Sequence, residues 1–152
     1  MTETNASQIR VAHIDDLPEI IKIEQLAGFN PRSSSHLRHS LQHHQLWIIE
    51  TDAIISGFAV FQTVLDETEL LNIVISPEKQ GRQLGRALLT FCLQSLHNQG
   101  VNKCFLEVGE SNVAAQSLYN KLGFDAIARR KDYYQLASGK QDALIFEYRF
   151  NT

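Results

Sequence analysis

The chain has 152 residues, a formal net charge of −3 and two cysteines, Cys92 and Cys104. That length suits one domain over residues 1–152 with a core of ordinary size, and no apolar run is long enough for a spanning helix and no leader pattern precedes the first strand. The expectation is a cytoplasmic protein with no membrane partner; the mild negative charge argues against a nucleic-acid partner and admits a cationic substrate.

Ile9–Ala12 reads as a first strand. Asp15 is placed as the N-cap of a helix through Leu26, with Leu17, Ile20, Ile21 and Glu24 at helical spacing. Phe29-Asn30-Pro31 breaks it, and Ser33–His43 reads as a second, polar helix. Leu46–Glu50 and Ile54–Thr63 are strands about a turn at Thr51-Asp52-Ala53, and Thr68–Ile75 is the fourth strand. A helix runs from Leu84 to Asn98, with Leu84, Leu88, Phe91, Cys92 and Ser95 toward the core, and Gly100 stops it. Lys103–Val108 is a strand, Asn112–Lys121 a helix ended by Leu122-Gly123. Phe124–Arg129 and Asp142–Phe150 are the closing strands, joined by a loop containing Ser138-Gly139-Lys140. The alternation predicts an α/β domain with a mostly antiparallel first half. The cysteines, on a predicted helix and a predicted strand, read as buried free thiols.

Two stretches carry chemistry. In LLNIVISPEKQGRQLGRALL, Leu70–Leu89, an apolar strand meets a Ser-Pro break, a polar loop and a helix start. First-turn N–H groups lack intrahelical partners and the helix dipole favours an anion there, so Gly81–Arg86 suits a pyrophosphate. Gly81 and Gly85 permit close approach, and Arg82 and Arg86 add charge; a plain strand–loop–helix join reads the same residues without a ligand. In FLEVGESNVAAQSLYNKLGF, Phe105–Phe124, alternation puts Phe105 and Glu107 on one strand face and Leu106 and Val108 on the other. Glu107 is either a solvated edge carboxylate or a general base. On the next helix Ala115, Leu118 and Leu122 form the predicted core stripe, with Tyr119 beside it as a core tyrosine or a reacting one.

Other polar groups read more plainly. His36, His39 and His43 share a helix face with His44 adjacent, and no carboxylate or cysteine is interleaved, so a solvated face is expected and no metal. Arg129, Arg130 and Lys131 read as a solvated strand end, and Asp66, Glu67 and Glu69 as a charged hairpin end or an attractor for a basic peptide.

LDETELLNIVISPEKQGRQLGRALL at Leu65–Leu89, LEVGESNVAAQSLYNKLGF at Leu106–Phe124, and RRKDYY with DALIF at Arg129–Tyr134 and Asp142–Phe146 together resemble the GNAT acetyltransferase superfamily. More narrowly they resemble its RimI-type members, which acetylate the N-terminal alanine of a ribosomal protein. The resemblance implies a mixed, mostly antiparallel seven-stranded sheet, splayed between the fourth and fifth strands and flanked by about four helices. It implies acetyl-CoA as co-substrate, held by the backbone of Ile73, Val74 and Ile75, by Gly81, Arg82, Gln83, Leu84, Gly85 and Arg86, and by Asn112. A bulge near the fourth strand would leave N–H groups to polarise the thioester carbonyl. Glu107 would take the proton of the acceptor amine and Tyr119 would protonate the departing thiolate; no acetyl-cysteine is formed. Phe29, Pro31, Tyr133 and Tyr134 would line the acceptor mouth.

An α-amine has a pKa of about 8, so at neutral pH it is mostly protonated and needs a base. The chain departs from the family pattern twice. Gln83 stands where the loop motif has its first glycine, and Phe29-Asn30-Pro31-Arg32 stands where RimI-type enzymes carry a Pro-Trp pair. The expected activity is direct transfer to a protein N-terminus, best a ribosomal one, by a monomer. A small-molecule amine acetyltransferase and a non-catalytic acyl-CoA-binding or interaction module are the alternatives.

Overall fold

The computed structural model describes residues 7–29 and 31–150; Asn30, placed in the break after the first helix, lies outside them. In chain order the elements are β1 Ser7–Val11, α1 Leu17–Ala27, α2 Ser34–His43, β2 Gln45–Thr51, β3 Ile54–Val64, β4 Glu67–Ile75, α3 Leu84–Asn98, β5 Lys103–Gly109, α4 Val113–Leu122, β6 Asp125–Leu136 and β7 Gly139–Arg149. Short 3₁₀ turns occupy Ile14–Asp16 and Pro77–Lys79. The strands form a seven-stranded sheet in the order β1-β2-β3-β4-β5-β7-β6. β4 and β5 pair in parallel, Glu67–Leu70 against Lys103–Leu106, while β1–β2, β2–β3, β5–β7 and β6–β7 are antiparallel. This is the mixed α/β architecture expected from the sequence. Two compact units divide the chain: one runs through Phe61 and takes in Asn72–Cys92, the other holds Gln62–Leu71 and everything from Leu93 on.

In the first unit, Ile20, Ile23, Leu37, Ile48, Ile49, Phe58, Phe61, Leu88 and Leu89 are buried. The entry to α1 differs from the expectation. Asp15 is exposed and caps nothing; it gives its backbone N–H to the His13 ring. Asp16 does the fixing, accepting from the His13 N–H at 2.6 Å and from both terminal nitrogens of Arg10 at 2.8 and 2.9 Å. Arg10 also reaches Glu50 at 3.1 Å, tying β1 to β2 and to the start of α1. The Arg10 guanidinium holds the Asp16 carboxyl below its usual range.

Helix faces are shifted from the predicted ones. α1 buries Leu17, Ile20, Ile23 and Glu24, leaving Ile21 half-buried. α3 buries Leu84, Leu88, Leu89, Cys92, Leu93 and Leu96, while Phe91 is 43 % exposed. Spacing alone admits either set, because residues one position apart flank the same helical stripe.

In the second unit β6 and β7 are longer than predicted, and the hairpin tightens to a turn at Ala137-Ser138 entering Gly139 at φ +119°. β6 is an edge strand exposed over most of its length, so it carries no hydrophobic alternation to betray it. α4 is capped at both ends. Asn112 Oδ1 accepts from the Ala115 N–H at 3.3 Å, and Gly123 at φ +102° lets the Phe124 N–H return to the Tyr119 carbonyl at 3.0 Å.

One close approach bears on β4. A Cβ at Gly57 would lie 2.5 Å from Ile75 Cδ1 and 2.7 Å from the Val74 carbonyl oxygen. Only glycine lets β4 run this near β3, and the Ser76 N–H then donates to the Ser56 carbonyl at 2.8 Å. Gly57→Ala is expected to cost about 1–3 kcal/mol through forced backbone displacement. Denaturant unfolding checks this; an unchanged midpoint contradicts the crowding.

Candidate active site

The second unit carries Glu107 and Tyr119, the expected catalytic side chains. Along β5, Cys104, Leu106 and Val108 are buried while Phe105 and Glu107 are half-buried on the other face. That face opens on a cavity of about 360 Å³ whose lining includes Glu67, Glu69, Phe105, Glu107, Arg130 and Ile145. The Glu107 side chain is 21 % exposed, so it is neither a solvated edge carboxylate nor a core group. Its Oε1 lies 3.6 Å from an Arg130 terminal nitrogen, and the Arg130 guanidinium sits 5.3 Å from the centre of the Tyr133 ring. A register irregularity between Arg130 and Tyr134, with Asp132 at φ +52°, lets these two side chains of one strand meet.

Tyr119 is the buried residue of α4, whereas Ala115, Leu118 and Leu122 are only half-buried; the predicted stripe is centred on the wrong residues. Its ring packs on Phe124 and Phe146 with centroids 5.6 and 6.0 Å away. Burial pushes its hydroxyl above the usual phenol range, with Cys104 and Tyr134 adding to the effect. The group therefore stays protonated across neutral pH, as a proton donor must. Both thiols are buried and held protonated, Cys104 pushed up to about 12, so neither is a nucleophile at neutral pH.

The first unit carries the anion-binding candidates. Ile73 and Ile75 are half-buried and Val74 buried on β4. Gln80 Nε2 donates to the Ile75 carbonyl at 3.0 Å, anchoring the loop to the strand end. Gly81, Arg82 and Gln83 are exposed, as is Arg86, while Leu84 is buried and Gly85 half-buried. The Ala87 N–H bonds the Gln83 carbonyl at 3.1 Å, so the preceding N–H groups, from Leu84 to Arg86, precede that ladder. Exposed arginines flanking such a helix start fit a pyrophosphate. Gly81 and Gln83 both have positive φ, +80° and +61°.

The remaining candidates fall in both units. Phe29 is half-buried and Pro31 exposed in the first; Tyr133, 48 % exposed, and half-buried Tyr134 belong to the second, with ring centroids 5.2 Å apart. Asn112 uses its side-chain oxygen on the α4 cap. His36, His39 and His43 are exposed, and among the described residues no His, Cys, Asp and Glu cluster could hold a metal. Two features escaped the sequence reading. Arg129 is exposed, as expected, but it is also paired: it donates to Asp142 at 2.6 Å and Glu110 at 3.1 Å. Arg130 reaches Glu107, a contact that needed the β5–β7–β6 register to be seen.

At φ +61° an ordinary side chain is strained by roughly 1–2 kcal/mol, which glycine avoids. Gln83→Gly is expected to stabilise the fold by about 1 kcal/mol, read by denaturant titration. A destabilised variant would show that the Gln83 side chain repays its strain by contacts.

The profile described as the Acetyltransferase (GNAT) family matches residues 14–124. The [ribosomal protein bS18]-alanine N-acetyltransferase of Salmonella typhimurium is 38 % identical over 138 residues, covering 90 % of this chain and 93 % of that protein. The crystal structure of the ribosomal-protein-S18-alanine N-acetyltransferase from Escherichia coli superposes with a TM-score of 0.91 at 34 % identity, covering 97 % of this chain and 96 % of that one. A structure of yncA from Salmonella typhimurium with its cofactor acetyl-CoA shares the fold alone, with a TM-score of 0.82 at 17 % identity over 97 % of this chain and 95 % of that one. A seven-stranded mixed sheet, a family match over most of its length and relatives of this similarity have one meaning: the chain belongs to the GNAT acetyltransferase family and is an N-acetyltransferase.

Proposed function

We propose that this enzyme transfers acetyl from acetyl-CoA to the α-amine of a protein N-terminus, best the N-terminal alanine of a ribosomal protein, by direct attack within a ternary complex. The observation that carries the reading is Glu107, held on the wall of an acid-lined cavity, in a chain closely similar to bS18-alanine N-acetyltransferases. Acetyl-CoA supplies the activated thioester carbonyl. Ile73–Ile75 and Gly81–Arg86 would hold it, with Arg82 and Arg86 meeting the pyrophosphate charge and Asn112 contributing to the cofactor arm.

Glu107 would accept the proton of the acceptor ammonium, directly or through water, and free its lone pair for attack. Tyr119 would give its hydroxyl proton to the departing thiolate. Burial makes this phenol a weaker acid than a free one, so its proton would pass as the C–S bond breaks and charge builds on the sulfur, not to a free thiolate of matching basicity. Phe29, Pro31, Tyr133 and Tyr134 would receive the first residues of the acceptor. Three carboxylates in the cavity lining, Glu67, Glu69 and Glu107, against the one arginine there, Arg130, favour a cationic acceptor. A small polyamine would satisfy that charge too, and this makes a small-amine substrate the competing reading. Free-base fractions favour the α-amine over a lysine side chain by roughly 300-fold at neutral pH, from a pKa difference of about 2.5.

Thiol release with alanine-starting peptides, free lysine and polyamines tests the proposal. Turnover of the peptides is expected, and Tyr134→Ala is expected to raise the peptide KM more than the acetyl-CoA Kd. Efficient acetylation of polyamines with every peptide inert would replace the N-terminal reading by the small-amine one. Tyr119→Phe keeps the ring and its packing, so kcat should fall while peptide KM holds. Lost stability with undiminished kcat would make Tyr119 a structural residue.

A further inference from the structure

Glu24 is fully buried in the last turns of α1, and its carboxyl group takes no part in the chemistry above. It is nonetheless satisfied with care. Oε2 accepts the backbone N–H of Arg32 at 2.6 Å, and Oε1 accepts Asn72 Nδ2 at 2.9 Å. The adjacent Gln25 donates its side-chain amide to the Arg32 carbonyl at 3.2 Å, so α1 grips both polar groups of one loop residue. Next to it Ser33 caps α2, its Oγ accepting the His36 N–H at 3.2 Å. Gly28 leaves room for this arrangement: a Cβ there would lie 2.8 Å from Glu24 Oε1 and 2.7 Å from the Glu24 carbonyl oxygen.

A leucine at position 24 would fill a helix core site with no desolvation cost. A buried carboxyl group is expensive unless its oxygens are matched by donors, and its geometry then becomes specific. Here the two donors come from two different places. Arg32 closes the connection that carries Phe29 and Pro31, and Asn72 immediately precedes Ile73–Ile75 on β4. One side chain thus ties Arg32, at the end of that connection, to Asn72 on β4.

We propose that Glu24 is a positioning residue for acceptor use: it fixes Arg32, next to Pro31, to β4 through Asn72, and so places the acceptor amine. The inference rests on the N-terminal acceptor reading. Positioning of this kind acts on acceptor binding and attack, and leaves the Gly81–Arg86 loop as it is.

The test uses the full-length protein with acetyl-CoA and an alanine-starting peptide. Glu24→Ala orphans two donors and should raise the peptide KM about tenfold or more, with the acetyl-CoA Kd within about twofold of wild type. Glu24→Gln should restore most of the loss, its oxygen accepting from Arg32 and its amide donating to the flipped amide of Asn72. Amide exchange at Arg32 should quicken in Glu24→Ala while α3 stays protected. Should Glu24→Ala fail to fold, Asn72→Ala removes one of the two donors and should move the peptide KM in the same direction. A folded Glu24→Ala, or Asn72→Ala in its place, with unchanged peptide KM overturns the proposal, as does a peptide KM and an acetyl-CoA Kd that rise together. A wild-type enzyme inert toward every peptide is a different failure, that of the acceptor reading, and it is seen before any variant is made.

Discussion

The period of two along β5 is the constraint on which the placement of Glu107 depends. Cys104, Leu106 and Val108 must go to the core for the strand to hold, so Phe105 and Glu107 must face the other way. A carboxylate on that side chain row is placed by the sheet, not by a loop, and its position is as rigid as the strand. The same strand then sets its neighbours. Glu107 pairs in register with Ile145 on β7, and β6 on the far side of β7 brings Arg130 within 3.6 Å of the carboxylate. A cation at that distance does what an incoming ammonium would do: it offers a counter-charge to the carboxylate in the cavity.

In the first unit it is backbone rather than side chain that is proposed to meet the ligand. β4 is allowed close to β3 by Gly57, and its end is tied to the loop by Gln80. The loop then turns through two positive-φ residues into α3, whose first N–H groups and flanking arginines are the proposed anion site, built from geometry common to many helices. The strain accepted at Gln83 is local. Its N–H and carbonyl are those a glycine would present, so the helix start survives the substitution at the cost of conformational energy.

Much of this was legible in the residues. Strand alternation at Phe105–Val108 fixed the facing of Glu107, and Asn112 with Leu122-Gly123-Phe124 marked both ends of α4. Gln83 was visible as a side chain where glycine is expected, and its left-handed backbone explains why glycine is expected there. Other features were hidden for physical reasons. Phe91 looked like core because helical spacing does not distinguish adjacent stripes. β6 showed no pattern because an edge strand exposed over most of its length has none to show. The Arg129–Asp142–Glu110 cluster and the Arg130–Glu107 pair depend on strand register, which the sequence carries only through pairing. Glu24 passed as one more residue on the helix face, since its partners lie in a connection and on a strand far along the chain.

The proposed chemistry turns on Glu107 acting as the base, and one substitution addresses that most directly. Glu107→Gln keeps shape and hydrogen-bonding capacity while removing the proton acceptor. With an alanine-starting peptide as acceptor, turnover should fall by about 10²–10⁴ while acetyl-CoA affinity and melting temperature hold. Turnover within about twofold of wild type would leave Glu107 a polar lining residue, and the chemistry assigned to this cavity would be wrong.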